Sequence, residues 1–276
     1  MNTILITIFL SFALVFSACG LRPPAPKPAA VQVATGVSVE GLEVGGLTSE
    51  QLAGILKKIN EKNAYSPHNA RFDNATGEIL NDKPGRSLDI PATTAAIMQA
   101  PPYSQVQAVY RQLPPDITSK QLFTAKKIGS FTSPILDNSA GRLHNVVLTA
   151  KLINNTILGA GQEFSFNRIT GEPTEERGFK QAPIFGENGR HEQGLGGGMC
   201  QVSSTLYNAV LAAKLPVTER HPHSQPVTYV PPDRDATTFT DKDFRFLNTT
   251  SHKIVIRAIV QDAKYLVVDL WSLPGT

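Results

Sequence analysis

The chain has 276 residues, 41% of them hydrophobic and 18% charged, with a net charge of +3 at neutral pH. That length buries a full core without metal or disulfide staples, and it has room for one large domain or two modest ones. So small a charge excess gives no argument for a nucleic-acid partner, and the composition excludes collagen-like, disordered and polytopic membrane chains. Twenty-one Gly and 20 Pro point to turns, strands and linkers rather than a helical bundle.

From Ile4 to Ala18 the chain reads ILITIFLSFALVFSA, without a charge. At about 1.5 Å per residue this run is short for a hydrocarbon core of roughly 30 Å. Its length suits the apolar core of an export signal. Ser17-Ala18-Cys19-Gly20 resembles a bacterial lipoprotein signal, which implies removal of residues 1–18 and a lipid on Cys19. An ordinary cleaved signal and an uncleaved anchor are the alternatives, and all three export the chain. The expectation is an extracytoplasmic protein of the cell envelope, held to the membrane through Cys19. Cys200 is then the one thiol left, and exported proteins rarely keep an unpaired thiol without a use. The plain alternative is a small buried hydrophobe. Residues 19–35 carry Pro23, Pro24, Pro26 and Pro28, the composition of a semi-rigid stalk.

A first module is expected over residues 36–118. Val37, Val39 and Leu42 suit a short strand, and Gly45-Gly46 a turn. Thr48 with Gln51 makes a capping box for SEQLAGILKKINEK, placing Leu52, Ile55, Leu56 and Ile59 on one helical face. The piece GVSVEGLEVGGLTSEQLAGIL resembles a peptidoglycan-binding module that often precedes exported cell-wall domains. A small α+β spacer that binds nothing is the alternative.

A second module is expected over residues 119–276. GRLHNVVLTAKLINNTILGAG has a helical stripe of Leu143, Val146, Val147, Ala150, Ile153 and Ile157, with Gly159 as a stop. In the tail, Ile254, Ile256, Ala258 and Val260 alternate with polar or exposed positions. Asp262-Ala263 makes a turn, and YLVVDLW returns as a second strand. The fold class is α+β, with a Cys-bearing helix packed on a mostly antiparallel sheet and a small α+β module ahead of it.

Chemistry concentrates in GLGGGMCQVSSTLYNAVLAAKLPVTERHPHSQPVTYVPPDRDAT. Gly194, Gly196, Gly197 and Gly198 permit backbone that a Cβ forbids. Cys200 then opens a helix whose Val202, Leu206, Ala209, Val210 and Ala213 share a side. A thiol at a helix N-terminus meets the positive end of the dipole and unpaired amides, which favour the thiolate. The Gly197 and Gly198 amides are candidate oxyanion donors. Gln201, Ser203, Arg220 and His221 are further candidates on the substrate side. A thiolate nucleophile needs a proton carrier, and His221 and His223 follow the helix. If the next strand pairs antiparallel, His223 and Asp235 become neighbours, and the Asp fixes the imidazole tautomer. His221 beside Arg220 suits a solvated position. No CxxC or HExxH spacing favours a metal, and Ser203 and Ser204 lack a G-x-S-x-G setting.

The runs FSFNRITGE, GGGMCQVSSTLYNAVLAA, ERHPHSQPVTYVP and DAT resemble the VanW family, over roughly Ile128 to Arg257. The family is named from glycopeptide-resistance clusters. The resemblance implies L,D-transpeptidation of peptidoglycan, with Cys200 as nucleophile and His223 and Asp235 at the matching His and Asp positions. It implies stem peptides as partners and no cofactor. Pro232-Asp233 stands where many relatives carry a Gly after the Pro, which leaves the turn ahead of Asp235 open. Two other readings stay open: a non-catalytic wall-binding lipoprotein with a structural Cys200, and a transglutaminase-like cysteine amidase or peptidase.

Overall fold

The computed structural model describes residues 30–185 and 191–275. The leader, Cys19 and the four stalk prolines lie outside the described residues. No helix among the described residues is long and apolar enough to cross a membrane. The chain divides into two compact units, one reaching to Lys57 and including Ile90–Ala108, the other comprising Lys58–Asp89 and Val109 onward.

In the first unit, β1 (Ser38–Val39) pairs antiparallel with β2 (Leu42–Glu43). Glu40 and Gly41 between them both take positive φ (48° and 76°), the geometry of a tight hairpin turn. One strand was expected here; the turn splits it, burying Val37 and Val39 while Leu42 is exposed. Helix α1 (Ser49–Asn63) starts at the expected capping box. The Thr48 amide donates to Gln51 Oε1 at 3.0 Å, and the Gln51 amide to Thr48 Oγ1 at 3.4 Å. Leu52, Leu56 and Ile59 are buried as the helical spacing requires.

Next come β3 (Arg71–Phe72), β4 (Ile79–Leu80), β5 (Gly85–Leu88), α2 (Ile90–Met98), β6 (Gln105–Val106), β7 (Tyr110–Leu113) and α3 (Ser119–Phe123). Strand β6 joins β1 in parallel within the first unit. In the second unit β3 pairs with β4 and β5 with β7, both antiparallel.

The rest of the second unit is a helix-on-sheet core. Its elements are β8 (Lys126–Pro134), α4 (Ala140–Ile153), β9 (Ile157–Leu158), β10 (Glu163–Ser165), α5 (Phe166–Thr170), β11 (Gln181–Phe185), β12 (His191–Leu195), α6 (Met199–Ala212), β13 (Val217–Glu219), β14 (Arg245–Leu247), β15 (Ile254–Gln261) and β16 (Tyr265–Ser272). The main sheet is antiparallel in the order β8-β16-β15-β9, and a smaller antiparallel sheet runs β10-β14-β13. Helix α6, which carries Cys200, packs on β8 and β16, and α4 packs on β15 and α6. The architecture is α+β, with the Cys-bearing helix laid on antiparallel sheet.

Two details differ from the periodicity. Helix α4 stops at Ile153, so Ile157 belongs to β9 and faces Val255, and Val147 is exposed. The stop comes from Asn154, which is extended, and Asn155, which turns left-handed at φ 64°. Asn154 Oδ1 accepts the Ala258 amide at 2.9 Å, and Asn155 grips both backbone groups of Phe72 at 2.6 and 2.9 Å. Asn can both adopt this geometry and satisfy strand backbone. In β15, Val255 and Ile259 are buried along with Ile254, Ile256 and Ala258. Val255 belongs to a second cluster with Ala70, Phe72, Ile117, Leu122 and Leu273, which covers the other face of the sheet. The expected turn is present, with Asp262 and Ala263 at φ 51° and 53°.

Candidate active site

Helix α6 is the centre of the site. Its N-cap is Gly198 at φ 111°, so Cys200 falls in the first turn, where backbone amides lack helical acceptors. The preceding glycines are there for space as much as for conformation. A Cβ on Gly197 would lie 2.6 Å from the Pro183 carbonyl oxygen, and one on Gly198 would lie 2.8 Å from Val146 Cγ2. The turn therefore lodges between β11 and α4, where Asn145 Nδ2 also donates to the Gly197 carbonyl at 3.1 Å. The amides of Met199 and Gln201 bond the carbonyls of Gly196 and Gly198.

The body of α6 is buried on nearly every side, and its polar side chains are connectors. Gln201 donates to the Pro134 carbonyl at 2.8 Å and to Ser133 Oγ at 3.2 Å, and its Oε1 accepts from Arg142 at 3.1 Å. Ser203 Oγ donates to the Ala236 carbonyl at 2.6 Å. Ser204 Oγ accepts the Ala236 amide at 2.9 Å, and Asn208 donates to the Arg234 carbonyl at 2.7 Å. These bonds hold the backbone on both sides of Asp235 against the helix that carries Cys200.

His223 and Asp235 meet as antiparallel neighbours. The segment is a single bridge rather than a strand: His221 pairs with Thr237, whose amide donates to the His221 carbonyl at 2.8 Å. Continued two residues, that register sets His223 against Asp235. Asp235 Oδ2 accepts both the backbone amide and Nδ1 of His223, each at 2.6 Å. Its Oδ1 accepts from Arg220 Nη2 at 2.8 Å, and Arg220 Nε also bonds the Asp235 carbonyl at 2.7 Å. Asp233, in the turn ahead, has φ 61°. That left-handed geometry is what a Gly supplies readily and an Asp can still adopt. His221 instead bonds Glu219 Oε1 at 3.0 Å and is half-buried.

The Cys200 sulfur faces this pair and the residues after it. It lies 3.6 Å from Thr237 Oγ1 and 3.6 Å from the Thr238 carbonyl oxygen. Burial pushes the thiol up. The hydrogen bond and charge of His223, then the Thr238 backbone and Thr237 hydroxyl, more than offset this and bring it to about 7. Burial pulls the His223 pKa down, but Cys200 and then Asp235 hold it above its ordinary value. Burial likewise raises Asp235, and the two His223 donors leave it below the usual carboxylate range. With Nδ1 committed to Asp235, the proton on Nε2 is the one available on the cavity side, where Tyr229 Oη stands 3.4 Å away. A thiolate beside an imidazolium is therefore favoured near neutral pH, and the carboxylate fixes which nitrogen moves a proton.

Cys200 and His223 adjoin one cavity of about 950 Å³, and Asp235 stands behind His223 on Nδ1. Cys200 and His223 line its wall with Gly197, Gly198, Arg142, Tyr229 and Thr237–Thr240. That volume lies within the usual range of ligand pockets. Among the described residues no group of three or more His, Cys, Asp or Glu side chains could hold a metal ion. The sequence reading brought Cys200, His223, Asp235 and the glycines to one place. It did not single out Thr237, Thr238, Tyr229 or Arg142. Thr237 lies two residues from Asp235, so strand alternation was a usable signal; Tyr229 and Arg142 reach the cavity only through tertiary packing.

The α+β fold thus sets a half-buried thiol at a helix N-terminus beside a carboxylate-oriented histidine on the wall of one cavity. Residues 141–271 match the family model described as VanW like protein. A Bacillus subtilis (strain 168) protein, "Uncharacterized protein YoaR", is 35% identical over 217 residues, covering 76% of this chain and 70% of that one. "Vancomycin B-type resistance protein VanW" of Enterococcus faecalis (strain ATCC 700802 / V583) is 30% identical over 82 residues, 30% of each chain. No solved structure matches significantly. The chain belongs to the VanW-like family.

Proposed function

We propose that this protein is an exported, membrane-tethered cysteine L,D-transpeptidase acting on peptidoglycan stem peptides. The observation that carries the reading is the His223–Asp235 pair, bonded at 2.6 Å, beside a Cys200 thiol brought to about 7. Cys200 thiolate attacks the carbonyl carbon of the third stem residue, and the negative charge gathers on the carbonyl oxygen. The Cys200 amide and the glycine turn offer donors for that oxygen. As the amide C–N bond breaks, His223 Nε2 gives its proton to the departing amine of the terminal residue, leaving a thioester. The side-chain amine of a second stem then attacks the thioester, returns a proton to His223 and frees the thiolate. Water in place of that amine gives an L,D-carboxypeptidase.

Export rests on the apolar leader, and tethering on Cys19 in its lipoprotein-like setting. The first module, residues 36–118, is assigned to peptidoglycan binding on its sequence resemblance, and residues 119–276 to catalysis.

The test is incubation of the purified chain with tetrapeptide muropeptides, following intact-protein and product masses, with Cys200→Ala as control. A thioester adduct plus a cross-linked dimer, both lost in the variant, is expected. Trimmed tripeptide without dimer assigns a carboxypeptidase. Full activity in Cys200→Ala sinks the cysteine mechanism; no adduct and no product, with a thiol inert to alkylation, sinks the enzyme reading.

A further inference from the structure

Arg142, in the first turn of α4, is a cavity residue with donors to spare. Its guanidinium is largely buried, and among the described residues it makes one hydrogen bond, from Nη2 to Gln201 Oε1 at 3.1 Å. Asp137 approaches Nε only to 4.0 Å and is itself half exposed, its carboxylate already accepting the Ser139 amide at 2.9 Å. Guanidinium carries five N–H donors in a fixed fork, the geometry that matches a carboxylate. Gln201 holds the fork in place, because its own amide is tied to Ser133 and Pro134. Gln201 adjoins Cys200 in sequence, and Arg142 Cγ lies 3.4 Å from the position of a Cβ on Gly198, so the guanidinium flanks the turn that delivers the thiol. Its charge also reaches the Tyr229 phenol, which burial and Cys200 hold above its ordinary pKa and Arg142 acts to lower.

The other charged groups on the wall are Asp137 and Glu172, both exposed, and His223. The deep cation and the outer carboxylates therefore differ in depth as well as sign. Resting on the stem-peptide reading above, the geometry points to Arg142 as the specificity residue that binds the free carboxylate of the donor's terminal residue. Such a contact restricts attack to the peptide bond one residue from a free C-terminus.

Two measurements test this. First, the alkylation rates of Cys200 by iodoacetate and iodoacetamide are compared at one pH in the wild type, Arg142→Gln and Arg142→Lys. Only iodoacetate carries a carboxylate, so Arg142→Gln should lower its rate relative to iodoacetamide by roughly threefold or more. Arg142→Lys should recover part of that ratio. An unchanged ratio in Arg142→Gln overturns the proposal. Second, in the wild type, a tetrapeptide with a free C-terminus should slow iodoacetamide at least about tenfold more potently than its C-terminal amide. Equal protection by the two overturns the proposal even if the variants misfold. Protection by neither, with an Arg142-dependent iodoacetate preference, overturns the stem-peptide reading and the donor assignment while retaining a carboxylate site.

Discussion

Replacing Asp235 by Asn keeps the shape of the side chain and removes the charge that organises the site. Asp235 accepts three hydrogen bonds: two from His223 at 2.6 Å and one from Arg220 at 2.8 Å. An amide has one oxygen. If it turns toward His223, its NH2 group faces the Arg220 guanidinium, donor against donor; if it turns the other way, both His223 donors lose their one acceptor. Either arrangement forfeits at least one charge-assisted bond, about 1.5–3 kcal/mol. The Asp235 interaction that holds the His223 pKa up is lost, so the imidazolium beside Cys200 is less populated. The Cys200 value, brought down to about 7 chiefly by His223, must then rise. A shift of one pH unit corresponds to about 1.4 kcal/mol, so a rise of about one unit is expected. The assay is the iodoacetamide rate of Cys200 from pH 5 to 10. The wild-type rate should increase as pH rises through about 7, whereas an ordinary thiol is half ionised at about 8.5. In Asp235→Asn the midpoint should move toward that ordinary value. An unchanged midpoint, in a variant whose thermal melt shows it folded, would refute the linkage from Asp235 through His223 to the thiol.

Four more variants at three positions test the packing of the second unit, each by urea denaturation against the wild type. Gly198→Ala forces a Cβ to 2.8 Å from Val146 Cγ2 at φ 111°, and should cost about 2–4 kcal/mol with loss of thiol reactivity; a neutral result would mean the turn is not held by close approach. Asp269→Ala removes a fully buried carboxylate that receives Ser130 at 2.6 Å, Arg257 at 2.9 Å and Lys127 at 3.1 Å. It strands the largely buried Arg257, and about 3–5 kcal/mol should be lost, whereas a loss below 1 kcal/mol would show that water screens this cluster. Asn155→Ala gives up two bonds to Phe72 and the left-handed preference at φ 64°, for about 2 kcal/mol. Asn155→Gly should recover only the backbone part; full recovery would assign no role to the side chain.

Local chemistry made several features legible in the amino-acid order alone. The Thr48 capping box, the Asp262-Ala263 turn and the start of α6 after a glycine run depend on neighbours within about four residues, so the sequence contains both partners. The juxtaposition of His223 and Asp235 was also accessible, because a hairpin register relates them by simple alternation. Other features need surfaces distant in the chain. Periodicity carries α4 through to Ile157, but the helix ends at Ile153 because Asn154 and Asn155 are claimed by β15 and by Phe72, more than 80 residues away. The alternation in β15 suggests one buried face, and a second cluster beneath the sheet buries the other. Ser203, Ser204 and Asn208 look like helix surface until the Arg234–Ala236 segment is laid on them. Arg142 reaches the Cys200 cavity only because α4 packs on α6. Sequence by itself singled out Cys200, His223 and Asp235 as candidates; tertiary packing decided that they meet and which other side chains join them, since only a folded core brings side chains from distant segments within hydrogen-bond reach.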